Sequence, residues 1–229
     1  MKHLSVFVGY LAFASMVPWL PAAQPDKKAG GFKQVLRADI DVIDGKVGEN
    51  KDGFLTIDSP EVRGQHKATG ARAARMVFTY HGETKEVAKL ASGNIAHQLG
   101  LKLRAKNTCN LLYVMWKIED KERIVVSVKS NPGQSTHKEC GANGYTGIKP
   151  VFQERPERFP SVKDGKQHTL EAELSKKKKA NNYELVVKAD GKFVWQGLID
   201  EKMLDGIDGP AGFRSDNAAF TFKFYSLAP

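Results

Sequence analysis

The sequence predicts an all-β protein built as an antiparallel sandwich, and three observations carry that reading. Strict alternation of apolar and polar residues recurs in short segments, most clearly in three consecutive ones between Leu99 and Lys129. Turn dipeptides such as Asp44-Gly45, Asp52-Gly53 and Asp190-Gly191 punctuate the chain. Helical periodicity is confined to brief stretches. Many short strands with sharp turns and little helix give two packed sheets rather than a helix-covered one.

The first 23 residues read as a secretory signal. Lys2 and His3 form a short basic start, Leu4 to Val17 is almost continuously apolar, Pro18 breaks it, and Ala22-Ala23 precedes Gln24. The run is too short, and too soon followed by Pro18 and Pro21, for a membrane span. No cysteine follows it, so a lipid anchor is not expected. Residues 24–31 form a polar leader expected to be flexible, and residues 32–229 form a single β-sandwich domain. Removing the signal leaves roughly 200 residues, enough for one full core. The predicted compartment is extracellular or periplasmic, and the predicted state is a monomer.

The elements follow in order. Phe32 to Ile57 alternates and carries Asp39, Asp41, Asp44 and Asp52. Asp58 to Ala74, with Pro60, Gly64 and Gly70, reads as a long surface loop. Arg75–Tyr80 is a strand, and His81–Gly93 is polar with a short helical turn over Val87–Leu90. Leu99–Ala105, Leu111–Ile118 and Arg123–Lys129 are three adjacent strands. Ser130–Phe159 has no sustained period and reads as a long functional loop. Gln167–Leu174, Tyr183–Ala189 and Lys192–Gly197 form a meander, with Asp190-Gly191 as a two-residue turn. Glu201–Gly206 offers a helical turn, and Ala219–Tyr225 is the last strand.

Cys109 and Cys140 are the only cysteines. In an oxidising compartment a pair is expected to bridge, tethering the long loop to the strands. A two-thiol metal site is the alternative, but the Cys-x-x-Cys or His spacing of zinc sites is missing. The formal net charge of +9 points to anionic partners. Export and the lack of any recognition helix, zinc finger or RNA-binding signature exclude nucleic acid. The run Lys176–Lys179 sits at a turn marked by Asn181-Asn182 and reads as a solvated hairpin tip.

The second half of the chain resembles the concanavalin A-like jelly-roll superfamily, in its laminin-G and glucanase-like branch. The residues that carry the resemblance are Asp164-Gly-Lys-Gln-His168, Leu185-Val-Val-Lys-Ala-Asp190-Gly-Lys-Phe-Val194 and Gly209-Pro-Ala-Gly-Phe213-Arg-Ser-Asp-Asn217. In that superfamily a Gly-x-Trp-His strand, an Asp-Gly hairpin and a closing Gly-x-x-Gly strand recur in this order. Here Gln167 replaces the aromatic. The resemblance covers roughly Leu99 to Leu227 and implies the fold rather than a reaction. The glucanases' Glu-x-Asp-x-x-Glu strand, which puts two carboxylates on one face, is missing. The acids Glu119-Asp120-Lys121-Glu122 have the wrong spacing and read as a hairpin tip. The jelly-roll lyases' Arg-x-Glu and Tyr-x-Lys-x-Gly-x-Tyr strands are also missing, although Arg104, Tyr113, His137, Gln167, His168 and Tyr225 supply the same residue types. Many jelly rolls bind calcium. The Asp39, Asp41, Asp44 and Asp52 series has the oxygens but not the twelve-residue loop spacing, so it reads as turn and strand acids. No metal and no other cofactor is assigned.

The candidate site is the non-core face of the three strands. If they pair as neighbours, Lys102, Arg104, Tyr113, Lys117, Arg123 and Lys129 share it, as a cationic groove with an aromatic platform. A plain solvated sheet face is the competing reading, and Met115 and Val125 on the same side suggest partial cover. Trp116 belongs to the core. The expected function is an exported, non-catalytic carbohydrate-binding domain for an anionic polysaccharide. One alternative is a polysaccharide lyase or glycoside hydrolase on an acidic glycan, with His137, Tyr113 and Arg104 as the reacting groups. The other is an envelope protein-interaction module using the same face.

Overall fold

A computed structural model describes residues 31–68, 70–177 and 181–227. The expected signal, most of the leader and Lys178–Lys179 of the lysine run lie outside the described residues. The strands are β1 (Phe32–Val35), β2 (Ile40–Asp44), β3 (Gly48–Glu49), β4 (Leu55–Ile57), β5 (Glu61–His66), β6 (Ala73–Glu83), β7 (Gln98–Leu103) and β8 (Leu111–Lys117). They continue as β9 (Arg123–Lys129), β10 (Tyr145–Gly147), β11 (Pro150–Gln153), β12 (Gln167–Lys176), β13 (Asn182–Ala189), β14 (Lys192–Asp200), β15 (Gly212–Asp216) and β16 (Ala218–Leu227). They make two antiparallel sheets packed as a sandwich. Sheet A runs β11-β14-β13-β12-β6-β16-β4-β3, with β1 also paired to β16. Sheet B runs β10-β9-β8-β7-β15-β5-β2.

Alternation explains which side chains meet between the sheets. Met76 and Phe78 of β6 and Phe220, Phe222 and Phe224 of β16 face Leu99, Leu101, Val114, Trp116 and Val126 of sheet B, all buried. Edge-on aromatic pairs bind the layers: Phe78–Trp116 at 5.6 Å and Phe213–Phe222 at 4.9 Å. Trp116 is core, as expected, and Trp195 is buried too.

Several elements depart from the sequence reading. Asp58–Ala74 contains β5, which pairs with β2 and β15. Gly64 looked like a turn residue, yet it is a strand position where a Cβ would lie 2.3 Å from Phe213 Cζ. The glycine is there for close approach of backbone to ring. Val87–Leu90 forms no helix. Ser130–Phe159 is not structureless: it holds the four-residue helix α1 (His137–Cys140), β10 and β11. Glu122 is not at a solvated tip. It is buried, accepts from Trp116 Nε1 at 2.6 Å and Ser161 Oγ at 2.7 Å, and so anchors the hairpin to the core. The bridge between Cys109 and Cys140 is present, with a Cα–Cα separation of 5.9 Å.

His168 of β12 is buried against Phe78 and Trp116, with one ring nitrogen 2.9 Å from Asp190 and the other 2.9 Å from Asp164. Burial opposes its charge, but the two carboxylates outweigh burial and raise its pKa above the ordinary value. A raised folded-state pKa stabilises the fold fully below the unfolded value near 6.5. That contribution is lost as pH rises through the higher folded value. The urea midpoint is therefore expected to fall on the alkaline side of about pH 6.5, and His168→Gln should remove that slope. An unchanged slope in the variant would show that another group titrates.

Candidate functional site: a cationic cleft on the outer face of sheet B

The registers of sheet B align its outward side chains in rows. One row reads Ser127–Tyr113–Lys102–Gly212–Gln65 across β9, β8, β7, β15 and β5. The next reads Val125–Met115–Gly100–Arg214–Arg63. Arg214 and Arg63 are thus direct cross-strand partners. The third row places Lys117, Gln98, Asp216 and Glu61 in line.

This face is covered rather than solvated. Every residue of β7 is buried, and Tyr113 and Met115 form a small second apolar cluster with Ala105 and Leu111. The Leu90–Ser92 segment stands on one side and the disulfide-tethered loop with α1 and β10 on the other. Between them a cleft of about 340 Å³ remains, lined by Arg63, Arg214, Gln98, Lys117, His137 and Tyr145 among others. α1 is fixed by a capping box in which Glu139 Oε2 accepts from Thr136 N at 2.8 Å and Thr136 Oγ1 at 2.9 Å. Those bonds hold the Glu139 carboxyl down at about 2, so Glu139 is a structural acid.

The electrostatics of the floor follow from crowding of buried cations. Arg63, Lys102, Lys129 and Arg214 are each at most 6 % exposed. Arg214 donates through Nε to Asp216 Oδ2 at 2.7 Å and through Nη2 to Oδ1 at 3.1 Å, and Gln98 Nε2 donates to the same carboxylate at 2.6 Å. Arg63 pairs with Asp44 at 2.5 Å at the rim. Burial, then Arg63 and Arg214, push the Lys102 ammonium down to about 7. Burial, then Arg214 and Arg63, push Lys129 down to about 8. Lys129 Nζ donates to Gly141 O at 2.8 Å and lies 5.0 Å from the Tyr145 ring centre.

The sequence-predicted residues divide. Lys102, Tyr113, Lys117 and Lys129 do share the face, and Tyr113 and Lys117 line the cleft. Lys102 and Lys129 are buried and do not line it. Tyr113 is not an open platform: Tyr145 stacks on it at 6.0 Å and Arg214 sits 5.0 Å above the ring, leaving it 2 % exposed. Tyr145, 41 % exposed, presents the accessible aromatic surface instead. Arg104 leaves the face altogether. It follows the strand in a left-handed conformation, φ +51°, so alternation ends at Leu103. Its Nε donates to Ile207 O at 2.7 Å, and its guanidinium covers Tyr183. Arg123 is on the same face, directly opposite Lys117, but its guanidinium pairs with Glu119 at the hairpin and does not line the cleft.

The arrangement does not assemble the expected reacting groups. His137 lines the cleft, but Arg104 does not join it, and burial pushes the Tyr113 phenol up to about 12. Burial, then Arg63 and Lys129, lower the His137 pKa and so favour the neutral imidazole. Gln167, His168 and Tyr225 belong to sheet A. Among the described residues no cluster of three or more His, Cys, Asp or Glu could hold a metal ion, and no helix is long and apolar enough to cross a membrane.

Arg63, Arg214, Asp216 and Tyr145 were not picked out from sequence. For two of them the signal was there: in Phe213-Arg-Ser-Asp216 the alternation sends Phe213 and Ser215 inward and Arg214 and Asp216 outward.

No protein-family model matches the sequence, and no curated protein sequence matches it either. Solved structures do. A carbohydrate-binding module from Bacillus subtilis superposes with a TM-score of 0.51 at 11% identity, over 80% of this chain and 91% of its own. The fold is a concanavalin A-like jelly roll. A legume lectin-like domain from Entamoeba histolytica matches with a TM-score of 0.49 at 12% identity, over 86% of this chain and 95% of its own. A GH43 protein from Bacillus licheniformis matches with a TM-score of 0.49 at 15% identity, over 91% of this chain and 41% of its own. The jelly roll accounts for the sandwich.

Proposed function

We propose that this chain is an exported, non-catalytic carbohydrate-binding domain that holds an anionic polysaccharide in the sheet B cleft. The observation that carries the reading is the direct pairing of Arg214 with Arg63, both buried, beside Lys102. Asp216 and Asp44 offset the two guanidiniums, but the buried Lys102 and Lys129 beside them have no carboxylate partner among the described residues, so the floor carries surplus positive charge whose mutual repulsion costs stability. An anion in the cleft would relieve that repulsion, and Tyr145 offers a face for a sugar ring. The fold, shared with a carbohydrate-binding module, supports the same reading. The basic and apolar N-terminus and the disulfide support export to an oxidising compartment.

Binding is tested by retention on pectate, alginate and chondroitin sulfate gels. Retention is expected to weaken steadily with added salt, because part of the attraction is screened charge. Tyr145→Ala should weaken it by about tenfold, the upper range for loss of an aromatic contact. Polymer length should stay constant. Growth of unsaturated uronate ends would establish a lyase instead. Failure to bind any acidic polysaccharide, with a specific protein captured in its place, would favour the interaction module.

A further inference from the structure

The cleft does not end at His137. A second compartment of about 550 Å³ adjoins it, and Arg63 and His137 line both. Each compartment falls within the ~300–1,000 Å³ of an ordinary small-ligand site. The second has no aromatic wall: beside Arg63, Lys106 and Asp44 it is lined by the neutral polar residues Asn107, Thr108, Ser135, Thr136 and Gln65.

Most of those polar groups are already engaged. Asn107 Oδ1 accepts from Cys109 N at 2.9 Å, Thr108 Oγ1 donates to Ser135 O at 3.0 Å, and Thr136 Oγ1 donates to Glu139 at 2.9 Å. Gln65 is different. Its Oε1 is the one buried side-chain polar atom without a hydrogen-bond partner among the described residues. Such atoms are rare because an unmet buried acceptor costs about 1–3 kcal/mol. Its neighbour across β15 is Gly212, a strand position where a Cβ would lie 2.8 Å from Lys102 Cε. The missing side chain lets the Lys102 stem lie over Gly212 on the row that leads to Gln65.

We propose that the glycan spans both compartments as at least two consecutive sugar units, with Arg63 at the junction and a ring hydroxyl of the second unit donating to Gln65 Oε1. The inference rests on the glycan reading above and adds its length and polarity. A carboxylate or sulfate oxygen cannot donate a hydrogen bond, whereas a hydroxyl can. The first compartment therefore favours negative charge, and the second adds a place for a free hydroxyl at Gln65 Oε1 and the Asp44 carboxylate, which can only accept, beside Arg63 and Lys106.

Titration calorimetry with galacturonate, alginate and chondroitin-sulfate oligomers, each series running from its shortest unit to four units, tests it on the full chain. Affinity is expected to rise steeply from the shortest unit to the next and then level off. Gln65→Met should lower affinity for the longer oligomers about three- to tenfold, the equivalent of one hydrogen bond, and leave the shortest unchanged. Its unfolding temperature should hold or rise, since an unmet acceptor is removed; a fall would mean that Gln65 has a structural role and would overturn the assignment. Binding that ignores length, or that Gln65→Met leaves intact, overturns this inference alone. No binding in any series overturns it together with the glycan reading.

Discussion

Replacing Arg214 with methionine is expected to lower unfolding free energy by about 3–5 kcal/mol, the range for removing one partner of a buried ion pair. The reason lies in what is left behind. Asp216 is fully buried, and Arg214 supplies two of its three short hydrogen bonds, at 2.7 and 3.1 Å. Gln98 would remain at 2.6 Å, with Arg63 3.9 Å away. Burial works against the Arg214 charge, but Asp216 outweighs it and holds the guanidinium protonated. The double variant Arg214→Met, Asp216→Leu removes both charges and should recover most of the loss, because no uncompensated charge stays buried. Urea unfolding of both variants measures this. Glycan retention should be lost in the double variant despite its recovered stability, which separates the cation's role in binding from its role in folding. A single variant that loses less than about 1 kcal/mol would mean that water reaches Asp216.

The fold was legible because alternation is local. Leu99–Lys129 announced three strands, and the register observed across them places Lys102 opposite Tyr113 and Met115 opposite Val125 on one face. The site was only half legible, and the misses have physical causes. Arg63 hides in β5, where Pro60 and Gly64 resemble loop punctuation; its pairing partner Arg214 lies far along the chain, and nothing local reports that contact. Arg104 continued a visible alternation, but its left-handed backbone ends the strand one residue early. Glu122 looked like one solvated acid among several until Trp116 and Ser161 closed around it. Tertiary contacts decide all three, and the amino-acid period carries no record of them. Arg214 and Asp216 differ from these: alternation along Phe213–Asp216 marks both as outward-facing.

The second large effect is expected at the disulfide. Cys109 and Cys140 are both fully buried and close a loop with a sequence separation of 31, which carries α1 and leads into β10. The double variant Cys109→Ala, Cys140→Ala should cost about 3–4 kcal/mol in the chain-entropy account of a loop this long. Binding should suffer more than folding. Other bonds hold the loop near its place: Asn110 Nδ2 donates to Gln134 O at 2.8 Å, Asn131 N donates to Asn110 Oδ1 at 2.8 Å, and Lys129 Nζ donates to Gly141 O. These keep the loop near the sandwich, but each is only part-buried, so water can compete for it once the bridge is gone. Tyr145 stays paired to β9, but α1 and His137 lose their fixed position beside Arg63, and the cleft loses part of one wall. The expected result is a cooperative unfolding transition shifted to lower urea, with glycan affinity reduced beyond what the unfolded fraction explains. Unchanged affinity in the folded double variant would show that the loop is not part of the site, and would move the binding surface onto the floor of sheet B alone.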